Sequence, residues 1–228
     1  MNKGKIMSKC KCTECKCAPT DPKDFVAWAK SKNIELNPAQ IMVYNHVMNE
    51  DRCIQYKCRR LGEFTFLYTV LSFWLATVYA RSVFMVFPNH SCIKESKRLL
   101  YRLGLYEPDI NLKFSTYESI EVGLHGHGRV DYVFCDEAGI DKELERTVRL
   151  LEERTRGSLD DTIVLYSSIE NPYLTYLRRL SDRWDSKWTF FQVPAFLFKS
   201  EQADNLKQIK SSMGQQQYAM EMECKLDR

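Results

Sequence analysis

Two hydrophobic patterns alternate along the chain. Short runs of consecutive apolar residues predict buried strands, and apolar residues that recur every three or four positions predict amphipathic helices. The predicted strands span 53–56, 82–87, 112–115, 119–122, 130–135, 162–167 and 188–193. The predicted helices span 24–32, 38–49, 65–80, 91–103, 141–156, 172–183, 201–213 and 215–223. This alternation predicts βαβ crossovers, and hence an α/β fold with a mostly parallel sheet flanked by helices.

Two local signals refine these elements. Asn37-Pro38 is a strong helix start, because Asn caps a helix well and Pro fits its first turn. The stretch 64–80 has no charged residue. It falls just short of the ~18–20 residues that a membrane span needs, and it contains several hydroxyl side chains. We therefore expect a buried core helix and no membrane association.

Length and charge exclude several classes of protein. A chain of 228 residues can form one α/β domain with a small appendage, but not a motor domain joined to a second catalytic domain. The 33 Lys and Arg residues nearly balance the 30 Asp and Glu residues, leaving a net charge of +3. Any nucleic-acid contact must therefore come from a local basic patch.

Residues 1–22 form a Cys- and Lys-rich tail, distinct from a domain that spans residues 23–228. The tail has no apolar core and so does not resemble a secretory signal. Its four clustered cysteines either hold one Zn²⁺ as thiolates or belong to a disordered segment. They are Cys10, Cys12, Cys15 and Cys17. The odd total of nine cysteines favours free thiols in a reducing compartment.

The segment from Lys57 to Thr65 lies between a predicted strand and a predicted helix, where a phosphate-binding loop would lie. Its pattern departs from G-x-x-x-x-G-K-[ST]. Gly62 matches the second glycine, but Glu63 and Phe64 stand at the lysine and Ser/Thr positions. A carboxylate at a phosphate site is expected to repel the phosphate.

A second strand end carries acidic residues. The strand of residues 130–135 is followed by Asp136 and Glu137. This arrangement is typical of nucleoside triphosphatases, in which the first acid holds Mg²⁺ through water and the second polarises the attacking water.

In order and spacing, these motifs resemble the ATPase domain of the large terminase subunit of tailed bacteriophages. The resemblance covers residues 36–224 and implies a P-loop NTPase fold of the ASCE, or RecA-like, type. It is carried by NPAQIMVYNHV, CRRLGEFTF, SVFMVFPNHSCIKESKRLL, GHGRVDYVFCDEAG, YSSIENPYLTYL and GQQQYAMEMEC. Some members of the family carry the loop lysine at the front of the loop, as Lys57 stands here.

The resemblance implies ATP and Mg²⁺ as cofactors and assigns the site residues. Catalytic roles fall to Lys57, Asp136 and Glu137. Nucleotide binding falls to Gln40, which would read adenine, and to Lys57, Arg59, Arg60, Gly62 and Thr65. Mg²⁺ falls to Asp136 and Thr65, and coupling of hydrolysis to movement falls to Ser167 and Ser168.

The implied function is ATP-driven packaging of double-stranded viral DNA into a procapsid. The implied partners are double-stranded DNA, the portal protein, the small terminase subunit and further copies in a ring expected to be a pentamer. The family's nuclease domain is absent from the sequence, so we expect either a separate nuclease chain or an isolated domain. The implied location is the host cytoplasm, at the portal vertex. Glu63 and Phe64 favour an alternative, a nucleotide-binding or inactive structural subunit. A helicase-like enzyme acting on single strands is a third reading.

Two arginine-rich segments have two interpretations each. The first segment carries arginines at 146, 149, 154 and 156, which alternate with glutamates. These arginines form either a solvated helix face paired with the glutamates or the source of an arginine that acts on the nucleotide of a neighbouring subunit. The second segment carries arginines at 178, 179 and 183. They form a local basic patch that is either solvated or in contact with DNA phosphates.

Overall fold

The computed structural model describes residues 24–57, 63–105, 107, 109–125, 128–168, 174–182, 187–194, 215 and 219. The helices are α1 (Asp24–Ser31), α2 (Pro38–Val47), α3 (Glu63–Val78), α4 (His90–Arg102), α5 (Ile120–Leu124), α6 (Leu144–Thr155) and α7 (Leu174–Asp182). The strands are β1 (Arg52–Lys57), β2 (Val83–Phe87), β3 (Leu112–Thr116), β4 (Tyr132–Asp136), β5 (Thr162–Ser168) and β6 (Trp188–Val193).

The strands form one six-stranded sheet in the order β3-β2-β4-β5-β1-β6. Every pairing between neighbouring strands is parallel, which confirms the predicted α/β fold. Because all six strands run the same way, their carboxyl ends lie along one edge of the sheet, where ligands bind in such folds.

Burial follows the apolar runs. Every residue of β1, β2, β4 and β5 is buried, as expected of parallel strands covered on both faces. The edge strand β6 is buried at its two ends, and its four middle residues are partly or largely exposed. The uncharged stretch forms most of α3, whose side chains pack into the core. None of the helices in the described ranges is long and apolar enough to cross a membrane.

The start of α2 is built as its sequence predicts. Asn37 accepts a hydrogen bond from the backbone N–H of Gln40, and the Gln40 side chain accepts one from the backbone N–H of Asn37. This reciprocal pair satisfies two N–H groups that a helix end leaves unpaired. Pro38 occupies the first turn.

One predicted strand is wrong. Residues 119–122 lie in a 3₁₀ turn (Tyr117–Ser119) and the short helix α5. Ile120 and Leu124 are buried, whereas Val122 is 75% exposed. Burial at i and i+4 is the spacing of a helix, since in a strand all three side chains would share a face. The hydroxyl of Ser119 bonds to those of Ser115 and Thr116, which turns the chain after β3.

Candidate nucleotide site

The predicted site residues converge at the carboxyl edge of the sheet. Lys57 is the last residue of β1, Asp136 ends β4, and Ser168 ends β5. These three strands are adjacent, in the order β4-β5-β1. Lys57 lies beside Ser168 in the strand register, and Glu137 follows Asp136 directly.

Lys57 is buried between the two acids. Its ammonium group forms an ion pair with Glu137 and lies 3.8 Å from Asp136 Oδ1. It also lies 5.8 Å from the centre of the Tyr166 ring. Only 6% of Lys57 is exposed. A buried ammonium is stable when it is paired, and both acids supply that pairing.

The two acids have opposite pKa shifts. Burial raises the pKa of Asp136 to about 6, although Lys57 opposes the shift. Burial also disfavours the ionised form of Glu137, but the ion pair with Lys57 and hydrogen bonds from Ser168 hold the pKa of Glu137 below its usual value. A neighbouring cation and hydrogen-bond donors favour a carboxylate's charged form, so Glu137 ionises at a lower pH than Asp136.

Glu137 is held by the end of β5. The backbone N–H of Ser168 donates to Glu137 Oε2 at 2.8 Å, and the Ser168 hydroxyl donates to Oε1 at 2.9 Å. The Glu137 backbone adopts a left-handed conformation, with φ 49° and ψ 45°. This conformation is unfavourable for a residue with a side chain and is concentrated at functional sites.

The first turn of α3 sends three consecutive side chains in three directions. The Glu63 carboxylate accepts a hydrogen bond from the Asn37 amide. Phe64 is 1% exposed and lies in the core near Tyr68 and Tyr166. The Thr65 hydroxyl donates to Asp136 Oδ2 at 3.1 Å. Glu63 is therefore engaged with α2, and the hydroxyl that meets the acidic pair is that of Thr65.

Gln40 joins α2 to the start of α3. Its amide nitrogen donates to the backbone carbonyl of Glu63 at 3.1 Å, and only 5% of the residue is exposed. Glu63 and Gln40 also line a groove of about 560 Å³.

The acidic pair fits a hydrated Mg²⁺. Asp136 Oδ1 is buried and has no hydrogen-bond partner among the described residues. Carboxylate oxygens, a hydroxyl and phosphates are the ligands that Mg²⁺ prefers, and the ion keeps several waters. Asp136 and Thr65 are the residues that would hold it. In the described ranges no group of three or more His, Cys, Asp or Glu residues could hold a metal ion by itself.

Two further contacts at the site have no clear sequence signal. The Tyr117 hydroxyl donates to the backbone carbonyl of Asp136 at 2.8 Å, so the turn after β3 supports the end of β4. The Ser167 hydroxyl accepts from the backbone N–H of Gly139 at 3.1 Å. Tyr117 lies in a segment whose pattern predicts only weak strands, and the contact joins elements distant in sequence.

The remaining predicted residues lie elsewhere. Arg59, Arg60, Gly62 and the four tail cysteines are outside the described residues, as are the predicted helix 201–213 and most of 215–223. On α6, Arg146 pairs with Glu121 and Glu143, and Arg149 pairs with Glu145. These pairs fit the interpretation of α6 as a solvated, paired face.

Comparison with solved structures places the fold. The ATPase domain of the Thermus phage P74-26 large terminase matches with a TM-score of 0.59 and 10% identity, over 92% of this chain and 99% of that domain. The fold is that of a phage terminase ATPase domain. The bacteriophage HK97 large terminase matches with a TM-score of 0.53 and 10% identity, over 83% of this chain and 50% of that one.

This chain also matches about half of a third solved structure. The large terminase of a thermophilic bacteriophage matches with a TM-score of 0.50 and 14% identity, over 89% of this chain and 52% of that one. The chain thus spans about half the length of these two large terminases. No protein-family model and no curated protein matches the sequence.

Proposed function

We propose that this chain binds Mg²⁺–ATP at the carboxyl edge of its sheet and hydrolyses it to translocate double-stranded DNA, as the ATPase part of a terminase-like packaging motor. The observation that carries the proposal is the convergence of a buried lysine, two acids and two hydroxyls at one point. These are Lys57, Asp136, Glu137, Thr65 and Ser168. The terminase-type fold supports the same proposal.

Each side chain has a distinct role in this proposal. Lys57 offsets the charge of the phosphates, and Asp136 and Thr65 bind Mg²⁺. When bound, the metal neutralises charge that develops on the transferred phosphoryl group. Glu137 is ionised at neutral pH, as its lowered pKa indicates, and it orients the attacking water and accepts its proton.

Nucleotide binding would change the partner of Lys57. The phosphates carry more negative charge than one carboxylate, so they draw the Lys57 ammonium away from Glu137. Glu137 would keep its hydrogen bonds from Ser168. A change at the phosphates is thereby passed to the end of β5, which is the coupling role proposed for Ser167 and Ser168.

The proposed partners follow from the packaging role. DNA would be gripped mainly by its backbone, so binding should depend strongly on salt and little on sequence. The proposed setting is the host cytoplasm at the portal vertex, in a ring of identical chains beside the portal protein and the small terminase subunit.

The test compares four variants of the purified chain for Mg²⁺–ATP binding and turnover. We expect Lys57→Ala to weaken ATP binding at least about tenfold. We expect Glu137→Gln to bind ATP normally but to lose turnover by about 100-fold or more. Lys94→Ala and Glu118→Gln are matched controls on exposed residues and should behave as wild type. Absence of ATP binding by the folded wild-type chain would overturn the proposal.

A second candidate is a nucleotide-binding subunit with little turnover. It is favoured by the contacts of Glu137, both of whose carboxylate oxygens already accept hydrogen bonds. The same assay separates the two functions. If the chain is a binding subunit, the wild type binds ATP, and Lys57→Ala weakens this binding at least about tenfold. The turnover of the wild type then equals that of Glu137→Gln.

A further inference from the structure

Three polar residues form a ring of hydrogen bonds between the first turns of α2 and α3. Asn37 and Gln40 form the reciprocal cap of α2. The Asn37 amide then donates to Glu63 Oε2, and the Gln40 amide donates to the Glu63 carbonyl. This ring fixes the direction of the Glu63 carboxylate relative to α2.

Glu63 and Thr65 lie on opposite sides of α3. They are two residues apart, and each residue turns a helix by about 100°, so their side chains diverge by about 200°. Thr65 contacts Asp136 on the side of the phosphate chemistry. Glu63 lines the groove of about 560 Å³ on the other side. One turn of helix thus separates a phosphate side from a groove side.

The groove has the composition of a site for a planar base. Leu36, Pro38 and Phe66 contribute apolar surface to its lining. Glu63 contributes a carboxylate, whose Oε2 accepts from the Asn37 amide and whose Oε1 we assign to the ligand. Gln40 contributes an amide with a second N–H beyond the one given to Glu63. Adenine presents an amino group beside a ring nitrogen. The Glu63 carboxylate can accept from the amino group, and the Gln40 amide can donate to the ring nitrogen.

We propose that Glu63 is the specificity-determining residue of this groove and selects a purine that carries an amino group over one that carries a carbonyl oxygen in the same place. The inference rests on the proposed function, because it assigns the base end of the same nucleotide. It gives a role to the residue that departs most from the ordinary phosphate-loop pattern. Glu63 is a binding residue for the base and takes no part in the phosphate chemistry.

The experiment measures dissociation constants of the full chain for Mg²⁺–ATP and Mg²⁺–ITP by calorimetry. The two differ at one edge of the purine: ATP carries a 6-amino group beside an unprotonated N1, and ITP carries a 6-carbonyl oxygen beside N1–H. We expect the wild type to prefer ATP at least about tenfold, because the carboxylate accepts from the amino group and repels the carbonyl oxygen. In Glu63→Gln we expect the preference to fall to within about twofold, since an amide can donate to that oxygen.

Two variants control for structure and charge. Glu35→Gln removes an exposed carboxylate from the same groove and should keep the wild-type preference. Asn37→Ser retains an oxygen that caps α2 but removes the donor to Glu63, and it should reduce the preference without abolishing binding.

The outcomes separate the two proposals. Equal affinity of the wild type for both nucleotides, or an unchanged preference in Glu63→Gln, overturns the role of Glu63 and leaves the proposed function standing. Absence of binding of both nucleotides by the folded wild type overturns both. A preference that disappears in Glu63→Gln and persists in Glu35→Gln supports the assignment.

Discussion

Burial of the Asp136 carboxyl is expected to lower the stability of the nucleotide-free protein. Its pKa is raised to about 6 by burial, against 3.8 for an exposed carboxyl. The folded state therefore holds a proton between these pH values that the unfolded state has lost. The group's contribution to the free energy of unfolding falls as the pH rises through this window, and the full penalty is present at neutral pH.

We therefore expect Asp136→Asn to stabilise the nucleotide-free protein at pH 8 by about 1–3 kcal/mol, while abolishing turnover. The gap between variant and wild type should shrink as the pH falls towards about 4. Urea denaturation in the presence of EDTA measures both. A variant less stable than wild type at pH 8 would contradict this account.

The left-handed backbone of Glu137 gives a second prediction at this scale. A protein with glycine at a given position is normally less stable than the same protein with alanine there. At φ 49° we expect the opposite, because the Cβ of alanine is unfavourable in a left-handed backbone. We expect Glu137→Gly to be more stable than Glu137→Ala by about 1 kcal/mol, with turnover lost in both. Urea denaturation of the two variants decides; equal stability would mean that the strain is absent.

At the scale of the element, helix α5 packs closely on β3. A Cβ added at Gly123 would lie 2.7 Å from Ser115 Oγ and 3.1 Å from Phe84 Cζ. The helix would have to move away from the sheet, so we expect Gly123→Ala to destabilise the protein by about 1–3 kcal/mol. Gly128→Ala is the matched control, since none of the described residues lies within 4 Å of its added Cβ. Thermal denaturation of both variants tests the packing, and similar midpoints would contradict it.

Around the first turn of α3, the sequence predicts the secondary structure but not the contacts between side chains. The pattern predicts the strand, the helix and the position of Lys57, because these depend on local hydrophobicity and chain order. The role of Glu63 does not follow from the pattern. Its partner Asn37 is 26 residues away, and a contact of that kind depends on how two helices pack. For the same reason Tyr117, 19 residues from Asp136, is not apparent in the sequence.

At the scale of the whole molecule, the two edges of the sheet differ in chemistry. The amino-terminal edge carries a groove of about 550 Å³, far from Lys57 along the strands. Arg52 in this groove pairs with Asp161 at 2.6 Å. The groove also carries exposed cations at Arg156, Arg179 and Lys187. Of the predicted basic patch, Arg179 lines this groove. Arg178 instead forms an ion pair, with its Nε 3.6 Å from Asp182 Oδ2.

We expect this groove to contribute to the DNA contact that the proposed function requires. Each phosphate contact that is lost should reduce the slope of log affinity against log salt by about 0.9. Replacing Arg156, Arg179 and Lys187 by Gln should therefore lower the slope by up to about 2–3 and leave ATP turnover without DNA unchanged. Arg98→Gln, an exposed residue of α4, is the control. An unchanged salt slope in the triple variant would remove the groove from the DNA path.

The order of the strands also governs when the molecule can assemble during its synthesis. Arg52 of β1 pairs with Ile163 of β5 and Trp188 of β6, which emerge from the ribosome 111 and 136 residues later (163 − 52 and 188 − 52). Until then β1 has no partner in the sheet and exposes apolar surface on both faces. A nascent chain therefore reaches the end of β5 before the sheet can bring Lys57 and Glu137 together, and exposed apolar surface favours aggregation during that interval.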